Sequence, residues 1–91
     1  MTGHVEGYRA ALEAAGALVE SFESSGTDLT GEWAATVSYG GRCERVSGRY
    51  FDSWEHDELL YCFGADWRER LDLPEVREQF VEFGRNLLAR T

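Results

Sequence analysis

The sequence predicts an α+β fold, a three-stranded antiparallel sheet with an N-terminal and a C-terminal helix packed on one face. Three observations lead there. Apolar residues recur at helical spacing near both ends of the chain, they alternate with polar ones over residues 33–39, and Gly40-Gly41 separates two extended runs. With 91 residues there is room for one core, so 1–91 is read as a single domain.

The elements follow in order. Val5, Tyr8, Leu12, Ala15, Val19 and Phe22 fall on one helical stripe, with Thr2 as a candidate cap and Ser24-Ser25-Gly26 as a stop. Beside that stripe, Glu6, Glu13 and Glu20 recur every seven residues, about 10 Å per step along a helix axis. Residues 26–30 read as a linker. Trp33, Ala35, Val37 and Tyr39 then alternate with Glu32, Ala34, Thr36 and Ser38, the pattern of a half-buried strand. Two glycines accept the positive φ angles of a two-residue hairpin, and residues 42–51 return antiparallel. That register sets Tyr39 opposite Arg42, Ala35 opposite Val46, Trp33 opposite Gly48 and Glu32 opposite Arg49.

Residues 58–63, Glu-Leu-Leu-Tyr-Cys-Phe, are apolar on both faces when read as a third strand, which predicts cover on both sides. Asp66 and Glu69 fit the start of a short helix over 67–71. Asp72 then caps a longer helix with Pro74 in its first turn and Val76, Phe80, Phe83 and Leu87 as its buried stripe. Glu75, Glu78 and Glu82 share one flank of it, while Val81 and Leu88 fall on the other. The expected order is α-β-β-β-α-α.

Charge narrows the function. Seventeen carboxylates face nine basic residues, all arginine, for a net charge of -8. Such a surface repels nucleic acid and anionic membranes over a Debye length of ~8–10 Å, so neither is an expected direct partner. A basic protein surface is the complement. The chain shows no basic segment followed by an apolar run and no stretch approaching the ~20 apolar residues of a membrane span, which points to a cytoplasmic protein. Cys43 and Cys62 are then read as reduced thiols, with a disulfide left open if their strands are neighbours.

Motifs for chemistry are missing: the sequence has no glycine-rich phosphate loop, nucleophile elbow or close cysteine pair, so no cofactor, metal or catalytic residue is assigned. His56, among Asp52, Glu55, Asp57 and Glu58, raises a small metal-binding or enzymatic domain as an alternative, although the spacing lacks the ladder and glycine of a calcium loop. Cys43 near Arg45 raises a lowered thiol pKa, against the default of a passive thiol.

Trp54 is the informative residue. It stands in the otherwise polar loop 52–57, where an indole serves either as a lid on the core or as a binding anchor ringed by carboxylates. In size, acidity and lack of catalytic motif the chain resembles small phage-encoded inhibitors such as anti-CRISPR proteins; the likeness is one of character, with no shared motif. It implies a non-enzymatic protein that inhibits or modulates a basic, nucleic-acid-handling partner as a nucleic-acid mimic. The expected contacts are Glu6, Glu13, Glu20, Asp52, Trp54, Glu55, Asp57, Glu75, Glu78 and Glu82. The doubly apolar 58–63 strand, with Val81 and Leu88, supports an alternative: a homodimeric accessory, chaperone or toxin-neutralising subunit.

Overall fold

Gly16 divides the N-terminal segment in two. Its φ of 99° lies in the left-handed region open to glycine, and the helix that starts the chain ends just before it. In the computed structural model, which describes residues 5–27 and 29–90, the elements are α1 (Val5–Ala14), β1 (Leu18–Gly26), β2 (Thr30–Tyr39), β3 (Arg42–Phe51), α2 (Glu58–Phe63), α3 (Trp67–Arg70) and α4 (Pro74–Ala89). The predicted cap at Thr2 and His4 lie outside the described residues. The fold is α+β as expected: an N-terminal helix, a three-stranded antiparallel sheet in the order β1-β2-β3, and C-terminal helices.

The first strand is not the one expected. Residues 18–26, read as the last turns of a long helix and the stop that follows it, form β1, and 58–63, read as a strand, form α2. The reason is a β-bulge. Strand residues three apart ordinarily face opposite sides, yet the register shifts between Val19 and Ser21, with Val19 opposite Val37 and Phe22 opposite Ala35. The extra residue, Glu20, lets Val19 and Phe22 both face the core. A spacing of three therefore imitates a helical stripe. It follows that the seven-residue row of glutamates is broken, because Glu20 stands on a strand while Glu6 and Glu13 stand on α1.

The hairpin matches its expected register at every pair named from the sequence, with Gly40 and Gly41 at φ 59° and 78°. Trp33 uses the space that Gly48 leaves: a methyl group at Gly48 would stand 2.8 Å from the indole nitrogen. The indole lies between Tyr8, at 5.1 Å between ring centroids, and Phe22, at 5.7 Å. Ala35, Val37 and Val46 are buried on the same side, under α1 and α4. The opposite face carries Glu32, Arg45, Ser47 and Arg49, all exposed. The molecule's shortest dimension, 18 Å, accommodates one sheet and one helical layer.

Among the C-terminal helices, Phe63, Trp67 and Phe80 form an aromatic cluster, with Trp67 stacked on Phe80 at 5.8 Å and Phe63 edge-on to Phe80 at 5.2 Å. The expected caps are replaced. Asp66 makes no capping bond and instead accepts from Arg70 Nε at 3.0 Å, and α4 is preceded by Leu73 rather than capped by Asp72. Leu88, placed outside the main stripe by its spacing, is buried, and Val81 is half-buried. No helix among the described residues is long and apolar enough to cross a membrane.

The two long helices touch where Gly84 faces α1. A Cβ there would be driven into the Ala11 carbonyl oxygen and would stand 2.9 Å from Ala15 Cβ. Alanine is the better helix former by about 1 kcal/mol, so propensity alone predicts that Gly84→Ala stabilises. Backbone contact predicts the reverse, a loss of about 2 kcal/mol or more in urea unfolding. A more stable variant would mean that α1 and α4 do not meet at this glycine.

Candidate partner-binding face

The 52–57 loop is pinned at both ends. At its start the Asp52 N–H donates to the Leu29 carbonyl at 2.8 Å; near its end the Asp57 N–H donates to the Ser53 carbonyl at 2.8 Å. The Asp57 side chain then takes over. Fully buried, it accepts from Tyr8 Oη at 2.8 Å, from the Phe51 N–H at 2.9 Å and, as the N-cap of α2, from the Leu60 N–H at 3.0 Å. With Phe51 and Leu60 tied to one carboxylate, residues 53–56 arch outward between them. Asp57 is thus a structural anchor out of reach of any partner, and its place among the surface contacts is corrected accordingly.

The arch holds Trp54 in solvent, 63% exposed, stacked on Tyr61 of α2, which is 69% exposed. Their ring centroids are 6.2 Å apart and their planes 18° from parallel. Tyr61 is outside because α2 is a helix: Leu59 and Phe63, four apart, turn inward and leave Tyr61 and Cys62 on the outer side. Next to this platform, α2 and α4 enclose a groove of about 490 Å³ lined by Tyr61, Cys62, Phe63, Gln79, Glu82, Phe83 and Asn86. Phe63 and Phe83 meet edge-on at 5.5 Å and supply its apolar part.

The predicted carboxylates divide around this face. Asp52 and Glu55 are exposed on the loop, and Glu82 stands on the groove wall, with Glu78 and Glu75 exposed further along α4. Glu82 lies 3.5 Å from Arg85, an exposed pair of little energetic weight. Glu58 is joined to Arg90 at 3.0 Å. The remaining three fall elsewhere. Glu6 is half-buried on α1, and Glu13 lines a separate groove with Arg77 and Val81, on the far side of α4 from Glu82. Glu20 sits on the open sheet face, where it accepts from the Cys43 thiol at 3.6 Å. Tyr61, Phe63 and Phe83 were absent from the expected contacts; Asp57 read as a helix cap is the signal that places Tyr61 outside.

Other chemistry finds little support in the geometry. His56 is exposed, its Nδ1 3.3 Å from Ser53 Oγ, and among the described residues no three His, Cys, Asp or Glu side chains converge to hold a metal ion. Cys43 and Cys62 are both free thiols. Arg45 does not activate Cys43, because it is engaged with Glu23 at 2.8 Å and Thr36 at 3.3 Å. Desolvation and the Glu20 carboxylate push the Cys43 thiol up, away from the reactive thiolate. Cys62 is likewise raised, by burial and by Glu58.

No family model matches the chain, and no curated protein or solved structure is significantly similar to it.

The anchor predicts an alkaline limit. Burial, and then the Asp57 charge, raise the Tyr8 phenol far above its ordinary value. An unfolded phenol ionises near ~10, so above that pH unfolding releases a proton that the folded chain retains. Stability is intact below that value and falls as pH rises past it, by up to about 1.4 kcal/mol per pH unit. Urea midpoints of wild type should decline more steeply between roughly pH 9 and 11 than those of Tyr8→Phe, which keeps the ring and lacks the proton. Parallel declines would remove Tyr8 as the cause.

Proposed function

We propose that the chain is a non-enzymatic acidic binding protein that docks on a basic, nucleic-acid-handling protein through the Trp54–Tyr61 platform and the groove beside it. The observation that carries this reading is the exposure of two rings stacked on each other beside the Asp52 and Glu55 carboxylates, held there by a buried anchor. Exposed aromatic pairs are costly to keep in water and mark contact surfaces. Flat π faces receive arginine or lysine, and the carboxylates of Asp52, Glu55 and Glu82 add the attraction that brings such a cation in.

Stacked rings flanked by fixed negative charge are also the two features that a nucleic-acid-binding groove is built to accept. On this reading the mimicry rests on the platform and the Glu75, Glu78 and Glu82 flank of α4. The α1 row contributes nothing, since it is broken at Glu20. The homodimer alternative loses its first motive, because 58–63 is a helix with one side buried and Leu88 belongs to the core.

Immobilised protein should retain a basic protein from host lysate at about 0.05 M salt and release it by about 0.5 M, as screening removes the attraction. The Trp54→Ala, Tyr61→Ala double variant should lose at least about tenfold in affinity while its unfolding midpoint barely moves, since both side chains are exposed. Retention unchanged in the double variant would sink this reading. So would sedimentation of wild type, but not of the double variant, as a dimer, which would assign the platform to self-association.

A further inference from the structure

The sequence has one glutamine and one asparagine, Gln79 and Asn86, and both line the groove between α2 and α4 beside the Trp54–Tyr61 platform. They stand seven residues apart on α4, about 10.5 Å along its axis, with Glu82 between them. All three side chains are exposed. Among the described residues neither carboxamide forms a side-chain hydrogen bond, and the ion pair of Glu82 with Arg85 is a surface one at 3.5 Å. Phe63 and Phe83 make the apolar floor, and Glu82 is the one charged residue of the lining.

This order of groups discriminates between two kinds of occupant. A carboxamide presents donors and an acceptor, the complement of a peptide unit. A helix enters a groove with its own backbone bonds already made and needs an apolar bed for one stripe. An extended segment carries N–H and C=O groups that lose water on entry and require partners there. It advances about 3.3 Å per residue, so about three residues reach from Gln79 to Asn86. Its side chains alternate, so a cation turned to Glu82 is flanked by neighbours turned to the floor.

We propose that the groove takes an extended segment of the partner in which one arginine or lysine lies between two apolar residues. The cation sits at Glu82 beside the Tyr61 ring, the apolar side chains sit on Phe63 and Phe83, and the backbone bonds to Gln79 and Asn86. The inference rests on the partner-binding reading of this face and adds the form of what binds: a basic arm or tail, not a folded helix.

The test is a titration of the full-length, ¹⁵N-labelled protein with acetyl-Gly-Leu-Arg-Leu-Gly-amide at constant ionic strength. With one glutamine and one asparagine in the chain, two side-chain amide groups report the contact directly. Both should shift and saturate together with the Trp54 indole N–H, at a dissociation constant of about 1 mM or tighter, while the buried Trp33 and Trp67 indoles stay. The Gln79→Ala, Asn86→Ala double variant should bind at least about tenfold more weakly with no lower unfolding midpoint, since both side chains are exposed. Glutamate in place of the peptide's arginine should abolish saturation. An alanine-rich helical peptide with leucine, arginine and leucine along one face should bind at least about tenfold more weakly than the pentapeptide. No saturable shift, saturation at Trp54 with both side-chain amides unmoved, equal affinity in the amide double variant, or tighter binding of the helix would overturn the proposal. If lysate retention is lost in Trp54→Ala, Tyr61→Ala and survives in Gln79→Ala, Asn86→Ala, the partner-binding reading stands and the extended segment falls.

Discussion

One buried carboxylate joins the parts of this molecule that sequence distance keeps apart. Asp57 receives the hydroxyl of Tyr8 from α1, the amide of Phe51 at the end of β3 and the amide of Leu60 in the first turn of α2. A carboxylate that accepts from three donors in a buried site contributes more than the same bonds at the surface, and removing it strands the donors. Tyr8 also stacks on Trp33, so the polar anchor and the aromatic centre of the core share a side chain. The sheet, the first helix and the C-terminal half are therefore positioned by one contact network.

The outward face depends on that network. Loops hold large apolar side chains in water only when something fixes the backbone beneath them, because a free loop folds its aromatics back onto the core. Here the turn at 53–56 is closed by its own hydrogen bonds and tied at each end, Trp54 points outward from it, and the helix begun by Asp57 sets Tyr61 beside it. A platform ordered before a partner arrives loses little conformational entropy on binding. The same residue that stabilises the fold thus prepares the surface.

Much of this was legible in the residues, and the misreadings have physical causes. The β2–β3 hairpin was readable to the residue because Gly40-Gly41 fixes the turn, and because an indole opposite a glycine admits one register. The helical stripe was misread past Gly16, since the bulge at Glu20 spaces Val19 and Phe22 as a helix would. Residues 58–63 were misread because short apolar runs carry no period; the distinguishing mark was local, an Asp three residues before the amide it caps. Trp54 could be singled out from its polar setting alone, while its partner Tyr61 could not, since its exposure follows from the helix. The role of Asp57 was hidden among its acidic neighbours, which look alike in sequence and differ only in what the fold places around them.

The most direct measurement of this arrangement is amide hydrogen exchange at Phe51 and Leu60 in Asp57→Ala. If the buried carboxylate holds the junction, both amides lose most of their protection and the protein loses about 3 kcal/mol or more, with Asp57→Asn, which keeps an acceptor oxygen, falling between it and wild type. Wild-type protection of both amides in the alanine variant would contradict it, and the outward platform would then need a different support.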